Sequence, residues 1–487
     1  FALHLPCVHV HLPGDFLAYF SVMPNGSNLP GILTLIHIFE TAGKRQKLIA
    51  SQCRPRLNHS RHPFGRPIET HLVFPECVEC RGVRGMCGID PCPLLAEVRS
   101  RLPTFQPRRV DELNGPSPPS VFVGRYNYPK ITAGPLAIVA GDEESESLPA
   151  PADPADLYGQ PLETVAARGV NLVRGRQAVG VTDARSPGRI LQTTQELAMA
   201  ERDVDIEMSF RNPIHLGGQP TFDSLTRPLG PTGEVIRAEV TSNAVIPRKV
   251  DSVVDETHLL ATDAVEELNQ TGVGEAHLTR LLSAGLLGHQ QRRRLVPTRW
   301  AITATDDMLG KRLFEQVRDL PSLGAVEWRT AEYLDNTFHI ILTPGAWAFH
   351  MLECWHKGSL WASEMRVIGD WEEEKPRTDY AARVTGAYYA ARLAVFEHLL
   401  ARGRSGSCLI WRDIGPGYWA PVGVWLIREA MRDAMSNPGR QFDSLGGAVE
   451  FVAERISNPK VLRDSWFLKR TRQSRLSEYS ESTATQS

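Results

Sequence analysis

The sequence predicts an α+β fold, an irregular mixture of helices and strands, with a compact four-cysteine unit before it and a flexible polar tail behind it. Three observations carry that reading. Short apolar strand-like runs and helical stretches follow one another without a βαβ rhythm or an internal repeat. Four cysteines, Cys77, Cys80, Cys87 and Cys92, fall within the run CVECRGVRGMCGIDPC. From Lys469 the chain reads KRTRQSRLSEYSESTATQS, which holds too few apolar residues to build a core.

Composition bounds the function classes. A chain of 487 residues exceeds what one ordinary core holds, so two or three units are expected. Hydrophobic residues make up 42% and charged residues 23%, the balance of an ordinary globular protein. The net charge of −2 gives no global pull toward nucleic acid or a membrane surface. No apolar run of roughly eighteen residues is present, so no transmembrane helix and no membrane partner are expected. Cys7, Cys53, Cys354 and Cys408 are scattered singly, which is reduced, cytoplasmic usage rather than a disulfide framework.

Residues 1–70 read as an unassigned extension, with the functional protein beginning near His71. They hold three acidic residues (Asp15, Glu40, Glu69) against six histidines and seven Lys/Arg. The apolar stretch GILTLIHIF is too late for a signal peptide and too short to span a bilayer. His4, His9 and His11 are read as an incidental scatter rather than a metal site.

Residues 71–96 are read as a C4 zinc finger. Two near ligands, a glycine-containing turn and two more ligands are what a closed tetrahedral thiolate site needs. Gly82, Gly85 and Gly88 permit the reversals, because glycine tolerates positive φ. A second cysteine pair this close favours metal over a redox CxxC. An iron–sulfur cluster is the alternative, since Cys92-Pro93 is similar to the ending of ferredoxin-type runs. Those runs have a tighter rhythm, so zinc is preferred, in a structural rather than catalytic role.

Beyond the cysteines, residues 93–101 form a short helix. Residues 121–124 and 136–139 are strands, with Pro and Gly at the turns between them. Residues 142–156 are acidic and proline-rich and form an exposed loop. A helix over 191–202 leads to strands over 206–211 and 234–245. Helices follow over 257–270 and 275–287, with Gly288 as a stop. A strand over 300–304 precedes a helix over 306–319, whose leading Asp306-Asp307 would cap free N–H groups. The stretch FHIILTPGAWAFHMLECWH is β-rich. Residues 380–400 and 422–435 are helices.

No GxGxxG, GxxxxGK[ST], GxSxG or HExxH motif occurs. Glu353-Cys354-Trp355-His356 is read as a packed cysteine beside a surface histidine. Asp413 has no evident partner, and Glu372-Glu373-Glu374 reads as a solvated face. With no catalytic residue to name, a binding and recruitment role is preferred to an enzymatic one. Between 81 and 130, eight basic residues face four acidic ones, interleaved with Phe105, Phe122, Tyr126 and Tyr128. Arg292-Arg293-Arg294 with Arg299 form a second cluster. Basic residues neutralise phosphates and aromatics stack on bases, so this mixture suits DNA or RNA. Arg81, Arg84, Arg125, Arg174 and Arg176 are the candidate DNA or phosphate contacts. In the tail, Gln473, Leu476 and Tyr479 share one face of a tight helical turn, the pattern of a short docking motif.

From about Val73 to Tyr479 the sequence resembles the archaeal Nre family of DNA repair proteins. The matching stretches include CVECRGVRGMCGIDPCP, PPSVFVGRYNYPKITAGP, NLVRGRQAVGVTDARSPGRILQTTQELAMA, RRRLVPTRWAITATDDMLGK, TGAYYAARLAVFEHL and YWAPVGVWLIREAMRDAM. The resemblance implies a DNA damage repair protein of archaeal cells, associated with the chromosome. Residues 97–345 and 346–465 would be the family's N-terminal and C-terminal domains. It further implies zinc on Cys77, Cys80, Cys87 and Cys92. The tail, 466–487, would carry a PCNA-interacting (PIP) motif over 473–480, with Gln473, Leu476 and Tyr479 docking on the sliding clamp PCNA. Ser480 stands where a second aromatic is common, and its absence forfeits apolar burial of about 1.5–3 kcal/mol.

The sequence thus reads as a DNA repair factor recruited to the clamp and holding DNA. The rival is an enzyme acting on DNA or a nucleotide, with a phosphate pocket built on turns at Gly124-Arg125-Tyr126 and Arg174-Gly175-Arg176.

Overall fold

The computed structural model describes residues 76–102 apart from 83, 90 and 91, residues 108–138, residues 151–216 apart from 152, and residues 220–472 apart from 221, 223–225 and 227. The extension 1–70, most of the acidic loop, and Gln473, Leu476 and Tyr479 lie outside them.

Helices and strands alternate irregularly, as the α+β class expects. Helices α1 (Cys77–Cys80) and α2 (Pro93–Ser100) lead to strands β1 (Arg108–Ser117), β2 (Val121–Val123) and β3 (Lys130–Ile138). Then come α3 (Leu162–Val170), β4 (Leu172–Gly180), α4 (Arg189–Met199), β5 (Val204–Leu216) and β6 (Thr232–Val240). A helical stretch follows, α5 (Arg248–Asp255), α6 (Ala261–Gln270), α7 (Glu275–Ser283) and α8 (Thr298–Val317). The second half holds β7 (Val326–Tyr333), β8 (Asn336–Thr343), β9 (Ala348–Trp355), β10 (Arg366–Glu373), α9 (Gly386–Ala401), β11 (Ser407–Ile414), α10 (Trp425–Ser436) and β12 (Arg440–Phe442). It closes with α11 (Leu445–Ala453), α12 (Pro459–Arg463) and α13 (Trp466–Arg472). Among the described residues no helix is long and apolar enough to cross a membrane.

Two six-stranded mixed sheets organise these elements. The first has the order β1-β5-β6-β4-β3-β2, with β4 and β6 parallel and its other described pairs antiparallel. In β5 buried and exposed residues mostly alternate, the signature of a strand with one covered face. The second sheet has the order β10-β9-β11-β8-β7-β12, with β9 and β11 parallel and the rest antiparallel. All of β9 is buried, because helices cover both faces of this sheet.

Helix α8 joins the two main cores. Trp300, Ala301, Ala304, Met308 and Leu309 belong to the core over the first sheet, and Phe314 and Val317 to the core over the second. The strand expected over 300–304 is therefore part of a helix. A helix buried on most sides lacks a polar stripe, so its 3.6-residue period is hidden. Asp306 and Asp307 do not open this helix; they lie inside it and are buried. Arg428 of α10 donates to both carboxylate oxygens of Asp306, at 2.7 and 2.9 Å. Arg392 of α9, fully buried, bridges Asp307 (2.5 Å) and Glu372 (2.9 Å), and Trp347 Nε1 donates to the other Glu372 oxygen at 2.9 Å. Glu372 is thus no part of a solvated face. Strand alternation turns it into the core, where a guanidinium and an indole satisfy it.

Beside this network Glu275, at the start of α7, pairs with Arg432. Burial by itself would raise the Glu275 carboxyl, but Arg428 and Arg432 overcome it and hold the group down to about 2. A depressed carboxylate stabilises the fold at pH values above its ordinary 4.5, and that stability is lost as pH falls toward 2. Glu275→Gln is expected to destabilise the neutral protein by up to about 3 kcal/mol. Denaturant titrations across this range should show the gap from wild type closing as pH falls from 4.5 to 2.

Candidate functional site

The four cysteines stand on α1, in the turn after it and at the start of α2. Cys77 and Cys80 stand one turn apart on α1 and are both buried. The chain then reverses through Arg81, in the left-handed region at φ 51°, and Gly82 at φ 71°. At Gly82 a Cβ would meet Trp361 at 3.0 Å and Leu95 at 3.1 Å, so glycine is needed for space as well as conformation. Cys87 follows in an exposed turn, and Cys92 stands at the N-terminus of α2 with Pro93 in its first position. Burial, above all, raises the Cys92 thiol, and the proximity of Cys80 and Cys87 pushes the same way. Four thiols are the donor set that a closed structural zinc site would use.

The candidate arginines separate into two groups. Arg81 is turned inward and is 5% exposed. It donates to Glu353 at 2.6 Å and to the Arg383 carbonyl at 3.2 Å, and lies over the Trp355 ring. Arg84 donates to the Ala382 carbonyl at 2.7 Å. Both tie the cysteine unit to the second sheet and its flanking loop. Arg293 of the second basic cluster likewise holds the carbonyls of Gly288 and Val254.

Arg174, Arg176 and Arg125 are placed differently. Arg174 and Arg176 are two residues apart on β4 and so share a face. Arg174-Gly175-Arg176 is therefore strand, not the turn expected of a phosphate cradle. A Cβ on Gly175 would meet Val235 at 2.8 Å and Met208 at 3.0 Å, so this glycine serves packing on the opposite face. Arg174 stacks over Phe122 at 4.6 Å, and Arg125 over the exposed Tyr126 at 4.9 Å. Among the described residues no carboxylate pairs with Arg174 or Arg176; Glu234, beside Arg176 in register, is taken by Arg211. Burial first, and Arg176 second, pull the Arg174 guanidinium down to about 10. It stays cationic at neutral pH, and among the described residues no anion pairs with it; its Nε donates to Thr232 Oγ1 at 2.9 Å. Two cations and two aromatic faces on one surface match phosphate and base.

The second sheet assembles a group that sequence reasoning left dispersed. Cys354 of β9 pairs in register with Asp413 of β11, and His356 lies two residues beyond Cys354. His356 Nε2 meets Asp413 Oδ1 at 2.6 Å, and Trp411 Nε1 donates to Asp413 Oδ2 at 2.9 Å. The ligand atoms of Cys354, His356 and Asp413 all lie within 4.8 Å of one another. His356 is no bystander, and Asp413 has partners. Burial, then Asp413, pushes the Cys354 thiol up to about 12. The spacing of Cys354 and His356 already put both on one strand face, but the parallel pairing that brings Asp413 has no local signal.

The family description "Archaeal Nre, N-terminal" matches residues 86–362, and "Archaeal Nre, C-terminal" matches residues 372–479. The chain belongs to the archaeal Nre family. Among curated Nre relatives, the DNA repair protein NreA of Haloferax volcanii is 36% identical over 375 residues, 74% of this chain and 89% of that protein. The DNA repair protein NreB of Archaeoglobus fulgidus is 33% identical over 411 residues, 83% of this chain and all of that protein. The same organism's DNA repair protein NreA is 32% identical, covering 80% and 95%. No solved structure matches this Nre chain. The second match reaches residue 479, the last position of the Gln473, Leu476 and Tyr479 pattern.

Proposed function

We propose that this Nre chain is a DNA repair factor that grips DNA with the outer face of its first sheet and is recruited to the sliding clamp PCNA by its tail. The observation that carries the DNA half is the Arg174/Arg176 pair, which among the described residues has no carboxylate partner, beside Phe122, Arg125 and Tyr126. Relatives named as DNA repair proteins support the role. Cys77, Cys80, Cys87 and Cys92 would hold a zinc ion that supplies folding free energy to the cysteine unit. Arg81 and Arg84 would pass that rigidity to the second sheet.

Recruitment rests on Gln473, Leu476 and Tyr479, a polar anchor followed by two apolar ones. A peptide covering 469–487 should bind the host's clamp with micromolar affinity, and Gln473→Ala/Leu476→Ala should abolish it. Absence of binding by the unaltered peptide would remove the tail from the function. The DNA half is tested by equilibrium binding of the full chain to duplex and single-stranded DNA, which Arg174→Ala/Arg176→Ala should weaken at least tenfold.

A further inference from the structure

We propose that Cys354, His356 and Asp413 form a second metal site, one that takes a zinc-class divalent ion with three protein ligands and an open position. Thiolate, imidazole and carboxylate are together the borderline donor set that suits Zn2+ and its neighbours in the transition series. Their ligand atoms already lie within 4.8 Å of one another, without a loop having to move.

The donors sit on rigid backbone. Cys354 and Asp413 are directly paired on parallel central strands, and the His356 N–H is bonded to the Ile414 carbonyl at 3.0 Å. The outer shell is in place as well. Trp411 Nε1 fixes one Asp413 oxygen, leaving the other aimed at His356 Nε2. Such second partners orient metal ligands and set their basicity. The ion would take the place of the proton shared between His356 Nε2 and Asp413 Oδ1. Access is from one side: the Cys354 side is closed, whereas His356 is 27% and Asp413 15% exposed. His339, paired in register with Trp411, brings another imidazole to the same sheet face, and among the described residues its buried Nδ1 has no partner. Three protein ligands with one open side are the arrangement of a reactive site, in contrast to the closed set of the cysteine unit.

The test uses the full chain, stripped of metal, reloaded with Zn2+ and dialysed. His356→Ala and Asp413→Asn should each bind one equivalent less than wild type, whether or not the four-cysteine unit is loaded. Loaded instead with Co2+, wild type should show thiolate-to-cobalt absorption that either substitution reduces. Zn2+ should also raise the melting temperature of metal-free wild type by more than that of Asp413→Asn. Asp413→Asn keeps the size and most hydrogen bonds of the side chain, and near-ultraviolet circular dichroism verifies its fold. Equal metal content and equal cobalt spectra in wild type and folded Asp413→Asn would overturn the proposal and leave a hydrogen-bonded structural group.

Discussion

Replacing Arg392 by methionine should destabilise the protein by about 3–5 kcal/mol, the range for breaking a buried ion pair from one side. The substitution preserves apolar bulk against Tyr389 and removes only the guanidinium. It strands Glu372, whose remaining donors are the Trp347 indole and the Arg377 N–H, and leaves Asp307 with Lys311. Denaturant midpoints at constant slope measure the loss. Replacing Arg392, Asp307 and Glu372 together by Met, Leu and Leu should recover most of it, because a packed apolar trio leaves no fully buried charge unpaired, Lys311 being partly exposed. A loss near 1 kcal/mol for Arg392→Met, typical of an exposed pair, would contradict the buried bridge between α8, α9 and β10.

Removing the proposed zinc from the four-cysteine unit is expected to have an effect of similar or greater size. The apolar contribution of residues 76–102 comes from a few side chains, among them Val78, Leu94, Leu95 and Val98. So small a unit needs a staple, and structural zinc contributes on the order of 10 kcal/mol of apparent binding free energy in finger peptides. A strong chelator or Cys80→Ser should lower the melting temperature and abolish hydrogen-exchange protection in this segment. The effect should reach the second sheet. Arg81 would leave Glu353, which is fully buried, with Arg412 as its single cation. A melting curve unchanged by chelation and by Cys80→Ser would remove zinc from the folding of this chain.

What could be read from the sequence was local. The cysteine spacing and the reversals at Gly82, Gly85 and Gly88 follow from neighbours within a few residues, and the positive φ values agree with that reading. Strands β8 and β9 were legible because apolar runs of eight residues flanking Pro344-Gly345 are too short for ordinary helices and fit strands. The first turns of helix α8 were misread as a strand over 300–304, while its remainder was read correctly as the helix over 306–319; burial on most sides erases the amphipathic periodicity there. Charge was legible, its direction was not: Arg81 and Arg174 look alike in sequence, yet one is clamped on Glu353 and the other, among the described residues, has no carboxylate. The Cys354, His356 and Asp413 group depends on the parallel pairing of β9 and β11, Cys354 opposite Asp413 59 residues on (413 − 354), which no local pattern encodes.

The most direct measurement is the salt dependence of DNA binding by the full chain, wild type against Arg174→Ala/Arg176→Ala. Each phosphate contact adds about 0.9 to the slope of log affinity against log salt on duplex DNA. If both arginines neutralise phosphates, the double substitution should reduce that slope by about 1.8 and weaken binding similarly across sequences. The same affinity and the same slope in a folded double variant would contradict the assignment of DNA contact to this face.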